Sequence, residues 1–226
     1  MNIAATIFDM DGLLIDSERI ALSTFQNVCD QHELGDQFAL YLQLLGTTDA
    51  TSKSILQERL PAHLQVDQFM QTWTGLYVEQ TSTAVPLMTG VLALLDHLDA
   101  IGMARSVATS TRTDHAIGKL RNSGILHRFA HVTGGDQVAQ GKPAPDIYLK
   151  AAQRLGVEPA HCLALEDSPN GVRAALSAGM QVIQIPSLVQ PDAEFRTFGH
   201  TILEDLHRVI DFLNAHPSPA SMAGQD

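Results

Sequence analysis

The chain opens with N-I-A-A-T-I-F over Asn2–Phe8, a short apolar run rich in β-formers, broken off by D-M-D-G. A run of that length predicts a buried parallel strand followed by a loop. From Asp16 to about Thr83 the period changes. Apolar residues recur at helical spacing: Ile20, Leu22, Phe25 and Val28, then Phe38, Leu42 and Leu45, then Ile55, Leu56 and Leu60. No strand alternation intervenes, so several helices are expected. After Pro86 strands and helices alternate. Thr89 is placed to cap a helix carrying Val91, Leu92, Leu95 and Leu98 and closed by Gly102. Arg105–Thr109 reads as a strand, and Thr113 begins a helix through Ile117 and Leu120 to Gly124. His131–Thr133 is a short strand. Pro145 begins a helix with Ile147, Tyr148, Ala151, Ala152 and Leu155 on one face. Cys162–Leu165 is a strand, and Ser168-Pro169 is an N-cap with proline at the first helical position, its helix ending at Gly179. Gln181–Ile185 and Thr201–Leu203 complete the strands.

That alternation predicts an α/β fold, a doubly wound, Rossmann-like parallel sheet, with a helical insert. The expected division is a core of residues 1–15 and 85–216, a helical insert over 16–84, and a loose tail over 217–226. Composition agrees with a folded chain: of 226 residues, 45% are hydrophobic and 17% charged. The net charge of −11 repels nucleic acid and anionic membranes. No basic stripe and no apolar run of membrane-spanning length counters it, so neither partner is expected. Any phosphate site must supply its own local positive charge. Cys29 and Cys162 have no metal or redox spacing and read as buried thiols, with a reducing cytoplasm as the simplest compartment. A monomer is the default.

Four segments carry candidate chemistry: D-M-D-G at Asp9–Gly12, A-T-S-T at Ala108–Thr111, G-K-P at Gly141–Pro143, and L-E-D-S-P-N-G at Leu165–Gly171. Each follows a strand or precedes a helix. In a doubly wound sheet the C-terminal strand ends converge on one crevice, so these segments should meet. Asp9, Asp11, Glu166 and Asp167 would then crowd together, which is unfavourable without a cation. A hard divalent ion such as Mg²⁺ suits oxygen ligands with retained waters. Any one of these acids alone is more simply a turn or cap residue; four at strand ends are not. Thr109 can donate a hydroxyl hydrogen bond, and Ser110 a backbone N–H, to an anion near a helix start. Lys142, between Gly141 and Pro143, can neutralise the carboxylates and hold a transferring phosphoryl group. Of two aspartates two residues apart, one can attack phosphorus while the other moves the proton.

These motifs, in this order, resemble the haloacid dehalogenase-like superfamily, in particular its phosphatases with a small helical cap after the first motif. The resembling segments are I-F-D-M-D-G-L-L-I-D-S-E, S-V-A-T-S-T, G-K-P-A-P-D-I-Y and L-E-D-S-P-N-G, spanning the chain to about Pro186. The resemblance implies that Asp9 is the nucleophile and a metal ligand, and that Asp11 is the acid/base with its carbonyl on the metal. It implies phosphate binding by Thr109 and the Ser110 amide, Lys142 bridging nucleophile and phosphate, and Glu166 and Asp167 placing Mg²⁺. The segment over about 16–84 would close over the site and choose the substrate, a small phosphorylated metabolite such as a sugar phosphate. Asp11 argues against carbon–halogen chemistry, because the dehalogenase branch lacks it. The family's β-phosphoglucomutases, the alternative reading, carry a cap histidine and an arginine where this chain has Ala21 and Asp49. A non-catalytic binding protein is disfavoured by the intact Asp9, Asp11 and Lys142. Trp73 and Tyr77 read as packing of the insert rather than as substrate contacts.

Overall fold

The structure, a computed structural model, describes residues 2–45, 47, 49–83, 85–188, 190–191 and 195–216. The expected loose tail over 217–226 lies outside the described residues. Along the chain run β1 (Ala5–Phe8), α1 (Ser17–Gln31), α2 (Phe38–Leu44), α3 (Asp49–Arg59), α4 (Val66–Thr81) and α5 (Val91–Ala100). There follow β2 (Ala104–Ala108), α6 (Thr113–Asn122), β3 (His131–Thr133), α7 (Asp146–Leu155), β4 (Cys162–Glu166), α8 (Pro169–Ser177), β5 (Gln181–Gln184), β6 (Thr201–Ile202) and α9 (Leu206–Ala215). Two compact units result, Met1–Asp16 with Pro86–Asp226, and Ser17–Val85.

The first unit is built on a parallel sheet in the order β3-β2-β1-β4-β5-β6. β1 is fully buried because it pairs on both edges: Phe8 lies opposite Val107 of β2 and Leu165 of β4. Alternation along the strands sends Ala5, Ile7, Cys162 and Ala164 to one face. There they pack with Ile147, Tyr148, Ala151 and Ala152 of α7 and Val172, Ala174 and Ala175 of α8. The many alanines let helix and sheet approach closely; of the five residues expected on the α7 face, Ile147, Tyr148, Ala151 and Ala152 are buried and Leu155 is partly buried. This α/β, Rossmann-like sheet is the predicted fold class. Its order places β1 and β4 side by side at the centre, so Asp9 emerges next to Glu166.

Two local expectations give way. Thr89 does not cap α5; Gly90 holds that position, in a left-handed conformation at φ 87°, with no side-chain cap bond. Gly90 backs onto α9 so tightly that a Cβ there would stand 2.9 Å from the His207 nitrogen. Backbone packing, not a hydroxyl, starts that helix. α9 itself was not expected. Its signals are Asp205, whose side chain accepts from the His207 and Arg208 amides, and buried Leu206, Val209 and Leu213.

The second unit, Ser17–Val85, consists of α1–α4 around an aromatic cluster. Phe25 of α1 stands 5.6 Å from Tyr41, 5.7 Å from Phe69 and 5.0 Å from Trp73. The polar tips are bonded: the Trp73 indole donates to the Ala21 carbonyl at 3.0 Å and the Tyr41 hydroxyl to the Glu18 carbonyl at 3.0 Å. Trp73 is thus a packing residue of this unit. Ala21, at the place of the mutase histidine, accepts at that backbone carbonyl from Trp73 and from the Thr24 hydroxyl; the Asp49 side chain lies outside the described residues.

Candidate active site

Asp9 is the first residue past β1, and its amide continues the ladder by donating to the Leu165 carbonyl at 2.9 Å. The chain then doubles back. The Met10 carbonyl accepts from the Leu14 and Ile15 amides at 2.9 and 3.1 Å, and the Gly12 amide donates to the Ile15 carbonyl. Gly12 takes φ 85°, which a side chain would oppose. Met10, Leu13, Leu14 and Ile15 are all buried by this turn. The glycine and the apolar L-L-I after it therefore lock the two aspartates between strand and turn. One strand over, buried Thr109 follows β2, with its amide on the Thr133 carbonyl at 3.0 Å and its hydroxyl oxygen accepting from the Thr111 amide at 3.1 Å. Ser110 beside it is exposed.

Lys142 reaches the same place from the loop before α7, its side chain only 5% exposed. Its Nζ donates to Asp9 Oδ1 at 2.5 Å and to Glu166 Oε1, and lies 5.0 Å from the centre of the Tyr148 ring. Burial alone would strip its proton, but the Asp9 and Glu166 carboxylates outweigh that and hold its pKa above the usual lysine value. Burial pushes the Asp9 carboxyl up to about 7; Lys142 opposes the rise, while Glu166 and Asp11 add to it.

Glu166 is fully buried. Its Oε1 takes Lys142 and the Tyr148 hydroxyl at 2.9 Å; its Oε2 takes the Asp167 and Ser168 amides at 3.0 and 2.9 Å and the Ser168 hydroxyl at 3.0 Å. Burial works against this charge, yet Lys142 and these donors hold its pKa below the usual glutamate value. Both oxygens point into the protein, so Glu166 underpins Lys142 from beneath. Asp167, next along, is buried, and its carbonyl accepts from Gln184 Nε2 at 3.0 Å.

Asp11 is held differently. Its Oδ2 accepts from the Thr111 hydroxyl at 2.7 Å and its Oδ1 from Lys119 Nζ at 2.8 Å. Neither partner was anticipated, nor were Tyr148 and Ser168 beneath Glu166. Lys119 did carry a signal: it stands on the buried stripe of α6 with Ala116 and Leu120, where a lysine is out of place. The structure therefore links Asp9, Lys142 and Glu166 in one bonded cluster, sets Asp11 two residues on, and puts Thr109 and Asp167 at neighbouring strand ends. Four carboxylates face two ammonium groups, a deficit that a divalent cation would redress. Among the described residues no three His, Cys, Asp or Glu side chains form a ready-made cage. Asp9, Asp11 and Asp167 carry oxygen donors of the kind that suits an ion that keeps waters and takes substrate oxygens, as Mg²⁺ does.

Comparison with known proteins gives the family. Residues 6–185 match the family model described as haloacid dehalogenase-like hydrolase. The chain is 31% identical to a phosphorylated carbohydrates phosphatase of Thermotoga maritima over 179 residues, 79% of this chain and 83% of that protein. A haloacid dehalogenase-family hydrolase from Deinococcus radiodurans, solved with bound phosphate and sodium, superposes with a TM-score of 0.81 at 25% identity, covering 95% of this chain and 96% of that one. A β-phosphoglucomutase from Clostridium difficile superposes with a TM-score of 0.70, covering 94% and 96%, but at 20% identity the likeness is one of fold alone.

Proposed function

This chain belongs to the haloacid dehalogenase-like hydrolases and is a phosphoric monoester hydrolase, and from that premise we propose that it releases phosphate from small phosphorylated metabolites, sugar phosphates foremost, through a phospho-aspartate on Asp9. The single observation that carries the reading is the Lys142 ammonium bonded to both Asp9 and Glu166 in a nearly dry setting. It fixes one Asp9 oxygen and leaves a positive charge where phosphoryl oxygens gain negative charge.

The steps follow from the side chains. An Asp9 carboxylate oxygen attacks phosphorus, and the ester oxygen leaves with a proton from Asp11. Water then attacks the phospho-aspartate, gives a proton to Asp11, and phosphate departs with Asp9 restored. Thr109 and the Ser110 amide bind the phosphoryl oxygens, and Lys142 balances their charge. Asp9, Asp167 and the Asp11 carbonyl would hold Mg²⁺, which supplies a Lewis acid for the phosphoryl oxygens. Glu166 acts through Lys142 rather than as a direct ligand. The helical unit is proposed as the cap that selects the substrate. The mutase alternative is disfavoured by Ala21, which has no side chain to exchange a proton with a second sugar hydroxyl.

The test is a screen of phosphate esters with and without Mg²⁺, read as free phosphate and as sugar isomer. Phosphate release is expected; isomer without phosphate would favour a mutase. Asp9→Asn should abolish release, at a cost of at least about 10³-fold, with unchanged circular dichroism. Retained turnover would remove Asp9 from its role.

A further inference from the structure

We propose that Lys119, with Thr111, is a positioning residue that fixes the carboxylate of Asp11 for proton transfer; the inference rests on the reading of Asp11 as the acid/base. Lys119 lies on the inward stripe of α6, its side chain 11% exposed, beside fully buried Ala116 and Leu120. An ammonium group placed there must be paired to be tolerated. Its Nζ meets Asp11 Oδ1 at 2.8 Å, and the Thr111 hydroxyl meets Oδ2 at 2.7 Å. Both donors come from one stretch of chain, the turn after β2 and the helix it starts.

Geometry decides what this pair does. A carboxylate held at one oxygen can still turn about its side-chain bonds; held at both, by donors on a common loop and helix, its plane is set. The Asp11 side chain remains 28% exposed, so it still has an open side to offer a leaving group or a water. A proton moves only across hydrogen-bond reach, and small misplacements of a catalytic group cost rate steeply. Lys119 gives up no proton in the cycle: the proton goes from Asp11 to the leaving oxygen, and water returns one to Asp11. The turn that carries Thr111 is itself clamped. Its carbonyl accepts from the Gly135 amide at 3.1 Å, and Asp136 Oδ1 takes the Thr113 amide and hydroxyl, each at 2.7 Å.

A merely structural ion pair and a positioning one differ in their dependence on the leaving group. The experiment compares p-nitrophenyl phosphate, whose leaving group needs no proton, with phenyl phosphate, whose leaving group does. The proteins are the full chain and its Lys119→Met, Lys119→Arg and Thr111→Val variants. For K119M, kcat/KM with phenyl phosphate should fall about tenfold while that with p-nitrophenyl phosphate falls less than about threefold. K119R should recover phenyl phosphate turnover to within about threefold of the original. T111V should share the selective loss, and it carries the test if K119M fails to fold. Equal losses on both esters, or no loss on either, in variants with unchanged circular dichroism would overturn the proposal. An unmodified chain that released phosphate from neither ester would strike the hydrolase reading itself, a separate failure.

Discussion

Glu166 concentrates the residue-scale logic of this site. A buried carboxylate is tolerated only when its oxygens are satisfied, and here both are, from a lysine, a tyrosine, two amides and a serine hydroxyl. The group is also enclosed: a Cβ added at Gly171 would overlap its carboxylate atoms. Gly171→Ala should therefore destabilise the chain by about 3 kcal/mol or more, because a buried charge must move, and should lower phosphate release in the protein that remains folded. Urea unfolding and turnover check this together. Tyr148→Phe is milder, removing one donor from Oε1 and costing about 1–2 kcal/mol.

At the scale of elements, the start of α8 carries one of the chain's clearest signals. Ser168 accepts from the Gly171 amide at the start of α8 while its own hydroxyl donates to Glu166. Ser168→Ala loses both bonds, and a destabilisation of about 1–2 kcal/mol is expected in urea, larger than at an ordinary cap. Beyond β5, His200 Nε2 meets Gln184 Oε1 at 2.9 Å, while its Nδ1 is buried without a hydrogen-bond partner among the described residues. Burial lowers its pKa below the usual 6.5. The unfolded chain then binds the proton more readily than the folded one. This contribution is complete above the unfolded pKa of about 6.5 and is lost as pH falls below it towards the folded value. The urea midpoint should drop on acidification through that window, and His200→Gln, which keeps a donor for Gln184, should reduce the drop.

At the scale of the molecule, a net charge of −11 coexists with a site that must admit phosphate esters. The local ammonium groups of Lys142 and Lys119 make this workable, and the proposed Mg²⁺ completes the compensation. EDTA should suppress turnover by at least about tenfold, with Mg²⁺ restoring it; full activity in chelator would remove the metal from the reading.

The sequence by itself determined the α/β order of elements and the D-M-D-G, A-T-S-T, G-K-P and L-E-D-S-P-N-G segments, because strand runs, cap residues and turn glycines are written in local periods and spacings. It fixed as well which helix face would be buried, as in Ile147, Tyr148, Ala151 and Ala152. The Asp205 cap and the Leu206, Val209 and Leu213 stripe write α9 locally too, but the start of α5 falls to Gly90 rather than Thr89 because of packing against His207. Tertiary structure alone decided that Lys119 reaches Asp11 across 108 residues, that Tyr148 and Ser168 support Glu166, and that Glu166 faces inward. Such contacts depend on strand order and close approach, which no window of neighbouring residues encodes.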